Sequence, residues 1–392
     1  MRERSALEVL LTFLKLGLSS FGGPIAHIGY FREEIVVRRQ WIDDAAYTDL
    51  VALCQFLPGP ASSQVGISLG LARAGYRGAL AAWIGFTLPS AALLTAFAYG
   101  ATALAGPTGS GILHGLKLVA VAIVAQAVWG MARTLSPDRR RASIATVAAL
   151  MMLFNTSPIG QFGTILMGGI AGFWLCRTDV ASWTGHMEVP ISPRAGIAAL
   201  TVFVVLLVAL PALAGLSPDV ERFAAFYRSG ALVFGGGHVV LPLLSKAFVA
   251  PGWVSQDSFL AGYGAAQAVP GPLFTFAAYL GAVAGPPPHG VGGAALGLVG
   301  IFLPGVLILI GVLPFWDSFR RCVSLQGALR GINAAVVGLL GAALYNPLWI
   351  SSVKSSGDIA IALAGFMLLV VWRTPPLLVV ILGALGGIVV TI

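Results

Sequence analysis

Read for its apolar and polar positions, the chain is a succession of apolar blocks separated by short polar turns. Gly78–Leu104, Leu113–Trp129 and Ala195–Leu213 each approach or exceed the roughly 20 residues a helix needs to cross a bilayer. Other blocks are too short. Ala45–Leu57 and Ala61–Leu71 flank the sequence Q-F-L-P-G-P at 55–60, and neither would cross by itself. Proline removes a backbone donor and glycine permits a sharp reversal, so this pattern predicts a re-entrant hairpin with its tip inside the membrane. Leu7–Phe21, the break F-G-G-P and Ile25–Val37 predict a second such hairpin, unless the first run spans outright. The expected fold is an all-α polytopic membrane protein with broken helices.

The breaks recur. Q-A-V-P-G-P at 267–272 repeats Q-F-L-P-G-P at a spacing of 212, and Trp253 repeats Trp41 at the same spacing. Phe13, Lys15, Gly17 and Phe21 find Phe226, Arg228, Gly230 and Phe234 at a spacing of 213. G-F-T-L-P at 85–89 matches G-I-F-L-P at 300–304. A collinear series containing Trp, Phe and Pro-Gly-Pro predicts an internal duplication: a first repeat within 1–175, a linker at 176–217 with one unmatched helix, and a second repeat within 218–392. If each repeat crosses an even number of times, the unmatched helix turns the second one over. Loop charges alternate accordingly. Arg133, Arg139, Arg140 and Arg141 mark a first-half loop whose counterpart carries Lys354 alone, while the uncharged 106–111 loop corresponds to one with Arg320 and Arg321. The positive-inside rule then predicts inverted repeats with a cytoplasmic N-terminus.

Composition supports the membrane. The chain is 57% hydrophobic and only 10% charged, against about 25% charged in soluble domains. The first apolar run contains Lys15 and no small-residue cleavage site, so it reads as a retained segment. A net charge of +8 would suggest nucleic acid in a soluble protein, but here the basic residues sit in short loops and no nucleic-acid motif accompanies them. Cys54, Cys176 and Cys322 are scattered without metal spacing and read as packing residues. There is no phosphate-binding lysine motif, no H-E-x-x-H and no paired-carboxylate motif. No cofactor, metal or catalytic residue is therefore expected.

A half-helix that starts inside a membrane presents amide groups without intrahelical acceptors and the positive end of its dipole, a setting that favours oxyanions. The candidate site residues follow from this. They are Gln55, Pro58, Gly59 and Pro60 with Ser62, Ser63 and Gln64 after the first break, and Gln267, Pro270, Gly271, Pro272 and Thr275 at the second. At the glycine breaks they are Gly22, Gly23, Gly236 and Gly237, with His27 and His238 close behind to bond a substrate or carry a proton. Lys15 and Arg228 are matched cations in apolar helices, suited to attract an anion, although snorkelling to the interface explains them equally well. Lys117 and Arg330 form a second matched pair nearer the loops, where snorkelling is the simpler account. Asn333 offers an amide in the second half only, and the unmatched Asp49 is the candidate for proton coupling. Glu33 and Glu34, among arginines, read as a solvated surface.

With these motifs assembled, the chain resembles the bacterial chromate ion transporter family in its long, two-domain form. The resemblance rests on F-G-G-P-I-A-H-I-G-Y-F-R-E-E at 21–34, R-R-Q-W at 38–41 and A-L-C-Q-F-L-P-G-P-A-S-S-Q at 52–64. In the second half it rests on F-G-G-G-H-V-V-L-P-L-L at 234–244 and G-Y-G-A-A-Q-A-V-P-G-P-L-F-T-F at 262–276. It implies a secondary transporter of the bacterial cytoplasmic membrane that exports chromate and confers chromate resistance. Sulfate or another anion is the alternative substrate, since sulfate has the same charge and shape. A membrane-embedded enzyme acting on a lipid-linked phosphate and a dissipative channel remain as contrasting readings, and the protein is open to acting as a homodimer.

Overall fold

A computed structural model of the chain describes residues 5–101, 107–155, 157–177, 191–285, 289–319 and 322–391. Among the described residues the architecture is helical, without strands. The first half begins with α1 (Ala6–Ser19), capped by Ser5, followed by a left-handed turn at Gly22 and α2 (Gly23–Phe31), which continues as a π-helical turn to Arg38. α3 (Asp44–Phe56) starts at an Asp43 side chain that accepts from Ala46 N–H. α4 (Ala61–Ala101) is two helices joined at Ala74 and Gly75, whose backbone is not helical. α5 (Pro107–Leu135), α6 (Arg139–Phe154) and α7 (Pro158–Leu175) complete this half, and α8 (Pro193–Leu213) is the unmatched helix.

The second half repeats the order. α9 (Pro218–Ala231) and α10 (Val240–Leu244) flank the second glycine break, and α11 (Gln256–Ala266) leads to the second Pro-Gly-Pro. α12 (Phe276–Val283), preceded by the tight turn Leu273–Thr275, is followed by α13 (Gly290–Val312) and the short α14 (Trp316–Phe319). α15 (Val323–Ala343), α16 (Ile350–Ser352), α17 (Ser356–Val370) and α18 (Pro376–Thr391) close the chain. Five of the described helices are long and apolar enough to cross a membrane. The helices α1 and α3, which lead into the first two breaks, are not. α1 has 14 residues and α3 has 13, about 20 Å at 1.5 Å per residue against a hydrocarbon core of about 30 Å.

The helices gather into two compact units, and each draws on both halves of the sequence. Unit one comprises Met1–Ala96, Ala181–Gly237 and Val269–Ser318, and so contains all four backbone breaks. Its centre is aromatic. Phe13 of α1 meets Phe31 edge-on at 5.4 Å, and Phe31 meets Phe86 of α4 at 5.0 Å. α1 and α4 come closer still at Gly17 and Gly85, where an added methyl would strike backbone of the opposite helix. Gly230 of α9 makes the corresponding approach to Ile301 of α13.

Unit two comprises Phe97–Val180, His238–Ala268 and Phe319–Ile392. Two glycine crossings hold it. Gly111 and Gly115 of α5 lie against Gly387 and Gly383 of α18, and Gly168 and Gly172 of α7 lie against Gly331 and Gly327 of α15. In a bilayer apolar side chains gain little by leaving lipid, so close backbone approach through small residues supplies the association. At the end where α5 finishes and α6 starts, Arg140 donates to Leu175 O and Arg330 of α15 to Cys176 O. At the start of α5, His114 bonds Asp358, which also accepts from Lys354 N–H. The matched helices α5 and α15 therefore run in opposite directions within this unit. Arg140 sits at one end of α5, and Lys354 sits at the other.

Two expectations change here. Cys54 and Cys176 are buried, but Cys322 is exposed at the start of α15. Glu34 is 7% exposed and not part of a solvated surface, because it accepts from Lys15 and Arg39.

Candidate functional site: buried polar residues behind the first Pro-Gly-Pro

The four breaks of unit one are tied in crossed pairs. Gly59 N–H donates to Val233 O at 2.7 Å, and Gly271 N–H donates to Ser20 O at 2.9 Å. Ser20 and Val233 immediately precede the two Phe-Gly-Gly breaks, so the Pro-Gly-Pro of each half is bonded to the glycine break of the other. The two glycine amides are consequently not free to meet a ligand. Gly59 and Gly271 adopt φ of +117° and +97°, a left-handed backbone that glycine tolerates. A Cβ at Gly59 would lie 3.0 Å from Gly305 Cα, and one at Gly271 would lie 2.9 Å from Ser90 Oγ and 3.1 Å from Phe86 O. Ser90 and Gly305 follow the matched prolines Pro89 and Pro304 in the long helices α4 and α13. Each tip thus packs beside the helix proline of the opposite half. Gly22, Gly23 and Gly236 also take positive φ at the remaining breaks, and Gly237 rests against Pro24 and Leu273.

Beyond this shared frame the two tips differ. After the first, α4 begins at Ala61, and its opening amides have no acceptor within the helix. Ser62, Ser63 and Gln64 are all buried, the first two at 3% and 2% exposure. Gln64 Nε2 donates to Pro58 O at 2.9 Å and to Gly305 O at 3.0 Å, which clamps the tip and leaves Oε1 with no protein partner. His27, 1% exposed, sets Nδ1 at 3.3 Å from Ser62 Oγ and rests edge-on against Phe86 at 5.3 Å. The ring also hydrogen-bonds the Ser20 backbone, while Ser63 Oγ and the hydroxyls of Ser20 and Thr87 in the same unit are buried without a protein partner. Each buried polar group left unbonded costs about 1–3 kcal/mol, so native interiors seldom gather several of them. Such a gathering at the opening of a helix is suited to receive an oxyanion.

The second tip closes on itself. Thr275 returns both its N–H, at 3.0 Å, and its hydroxyl, at 2.7 Å, to Pro272 O, and Leu273 and Phe274 contribute apolar surface. Pro60 and Pro270 are buried beside their glycines. Gln55 is exposed, while Gln267 caps α11 in unit two with its Nε2 unpartnered. His238 also lies in unit two and bonds the Tyr263 hydroxyl at 2.8 Å through Nδ1; Asn333 is buried there in α15.

The matched cations do not join this buried cluster. The Lys15 side chain is 60% exposed and pairs with Glu34 at 3.2 Å, and Arg228 is exposed on α9. Lys117 pairs with Asp257 at 2.9 Å. Asp49 is buried and accepts from an indole, Trp316 Nε1, at 3.1 Å. Sequence reasoning missed Trp316, Tyr263 and the pair His114–Asp358. It also missed Arg222, 1% exposed, which donates to Asp219 and to Ala284 O at the end of α12. Arg222 corresponds to Val9 and Tyr263 to Val51, so a search for matched residues passes over both. A charged residue on the inner face of an amphipathic helix was the signal available for Arg222.

The family model for chromate transporters matches the chain twice, over residues 7–173 and 220–388. The chain belongs to the chromate transporter family. Family members align over nearly its full length. A chromate transport protein of Pseudomonas aeruginosa is 28% identical over 97% of this chain and 90% of its own. A probable chromate transport protein of Synechococcus elongatus is 26% identical over 96% and 93%, and a chromate transport protein of Cupriavidus metallidurans is 25% identical over 86% and 81%. No solved structure is significantly similar to the chain. Membership makes this a multi-pass membrane transporter.

Proposed function

We propose that the protein exports chromate from the cytoplasm as a secondary transporter of the bacterial inner membrane, and that the anion rests behind the first Pro-Gly-Pro. The observation that carries this reading is the buried set of Ser62, Ser63 and His27 at the opening of α4, held in place by the Gln64 clamp. A tetrahedral oxyanion supplies four acceptors to hydroxyl, imidazole and helix-opening backbone N–H donors of this kind. Opposed α5 and α15, with Arg140 and Lys354 at opposite ends, support two inverted repeats and a cytoplasmic N-terminus under the positive-inside rule. Inverted repeats suit alternating access around one central site.

The test is uptake of labelled chromate into energised everted vesicles. Vesicles carrying the protein accumulate chromate above vesicles without it, and Ser62→Ala/Ser63→Ala abolishes the difference. Equal uptake with and without the protein would overturn the reading. Sulfate meets the same donors with the same charge, so competition by excess sulfate measures how far the site discriminates. Export at the cytoplasmic membrane lowers internal chromate, which is how the activity confers resistance.

A further inference from the structure

The turn after α2 and the kink of α4 bring two arginines to one carboxylate. Arg73 Nη2 lies 3.1 Å from Glu8 Oε2, and Arg39 Nη1 lies 3.5 Å from Glu8 Oε1, so each oxygen faces a different guanidinium. Both guanidiniums also lie over the Trp41 ring, Arg39 at 5.7 Å and Arg73 at 5.1 Å. We propose that Arg39, Arg73 and Trp41 form a second oxyanion site, which Glu8 fills at rest and which a dianion takes over on its way to the site behind the first Pro-Gly-Pro. This rests on the transport reading above and adds where the anion first binds.

Three features separate the arrangement from an ordinary surface pair. The first is grip. Glu34 is firmly held, accepting from Arg39 at 2.9 Å and from Lys15 at 3.2 Å, and its side chain is 9% exposed. Glu8 is held more loosely, with its Arg39 contact at 3.5 Å and its side chain 22% exposed. The second is charge. Lys15, Arg39 and Arg73 are three cations against the two carboxylates Glu8 and Glu34, while Arg38 and Glu33 balance each other at 3.0 Å. The third is spare donor capacity. Arg73 Nε is buried and bonds no protein atom, so the carboxylate of Glu8 leaves the guanidinium fork partly unused. A tetrahedral dianion brings more oxygens and twice the charge to the same two forks. The indole face keeps both guanidiniums in place when Glu8 leaves. Glu8 is not stranded by release, because it sits in the first turn of α1, where helix amides favour a carboxylate.

The location connects this cluster to transport. The first segment of α4 runs from Ala61 to Arg73 before the Ala74–Gly75 kink, about 18 Å at 1.5 Å per residue. One half-helix therefore joins the two sites, with the serines at its start and Arg73 at its end. Its terminal carbonyls carry the negative end of the dipole and would repel an anion, and the two arginines reverse that field. With the N-terminus cytoplasmic, export begins at this end. A tethered carboxylate that competes for the arginines keeps occupancy weak, which suits a site that must also release the anion inward. The second repeat has no equivalent: V-A-P-G-W at 249–253 and A-G-P-P-P-H-G at 284–290 contain no arginine, and Trp253 packs edge-on against Phe248 at 5.5 Å.

The experiment is equilibrium binding of labelled chromate to purified full-length Ser62→Ala/Ser63→Ala protein, which leaves the arginine site alone. A single weak site should remain. Adding Glu8→Gln should tighten it about tenfold, because a competing charge is removed from two guanidiniums. Adding Arg73→Gln should abolish it, and Arg73→Lys, which keeps the charge without the fork, should recover part. With both serines present, Arg73→Gln should raise the KM of uptake into everted vesicles about tenfold, leave kcat within about twofold and remove most of its salt sensitivity. A Glu8→Gln variant that melts lower without gaining affinity would make Glu8 a structural tie and overturn the inference. No residual binding in the serine variants, with or without Glu8→Gln, would also overturn it while leaving the first site standing. Absence of chromate binding by the wild type would bring down the substrate reading, and this inference with it.

Discussion

The two Pro-Gly-Pro tips share one geometry and have different chemistry. Both glycines sit in left-handed backbone, both amides bond the glycine break of the opposite half, and both tips pack beside a helix proline. Past the tip, one half offers the buried hydroxyls of Ser62 and Ser63, whereas the other folds Thr275 back onto Pro272. A duplicated backbone has been kept for its mechanics, while its capacity to bind a ligand lies on one side. The difference arises from side chains alone. The Ser62 position corresponds to Phe274, so a donor has been exchanged for a ring at the equivalent place.

The sharpest way to break the shared part of this comparison is Gly59→Ala or Gly271→Ala. The left-handed backbone costs an L-residue about 1–2 kcal/mol, and the collisions with Gly305 or with Ser90 and Phe86 add to it. Both variants should lower the melting temperature by about 5 °C or more, to similar extents. A large effect at one glycine and none at the other would mean that the tips are not mechanically equivalent.

The mechanical frame was legible in the sequence, because Pro-Gly-Pro, Phe-Gly-Gly and their spacing depend on backbone requirements that few residues meet. Short apolar blocks beside those breaks gave the half-helices α1 and α3 for the same reason: helix length is fixed by rise per residue. The site was only half legible. Residue type marked Ser62, Ser63, Gln64 and His27, but it marked Thr275 and the matched Lys15 and Arg228 as strongly. Which way a side chain faces depends on tertiary packing: Thr275 turns to a carbonyl three residues back, while Lys15 and Arg228 occupy the exposed faces of α1 and α9. Arg222, Trp316 and Tyr263 were hidden because their partners are distant in sequence or have no counterpart in the other half.

Functional asymmetry should appear next in size. Ser63→Ala removes a buried hydroxyl that is free to donate, and a hydrogen bond to a charged group contributes about 1.5–3 kcal/mol, so chromate affinity should drop about tenfold or more. Thr275→Ala should change affinity less than about twofold, since that hydroxyl is already spent, and should instead lower stability by about 1 kcal/mol. Equilibrium binding with labelled chromate, alongside thermal melts, reads both. Equal losses of affinity would restore a symmetric site.

The smallest effects should come from the matched cations. Lys15→Gln breaks a pair whose lysine is largely exposed, and such pairs contribute about 0–1 kcal/mol. Lys15→Gln and Arg228→Gln should each leave chromate affinity within about twofold of the wild type, with a modest loss of salt sensitivity in the rate of uptake. A tenfold loss in either would return the cations to the binding site.

The account is tested most directly by locating the oxyanion itself, through the anomalous signal of chromium in crystals of the protein grown with chromate. The account predicts chromium behind the first tip, within hydrogen-bonding reach of the Ser62 and Ser63 hydroxyls and of the His27 ring. Chromium beside Thr275, or held by Arg228 with the first site unfilled, would contradict it.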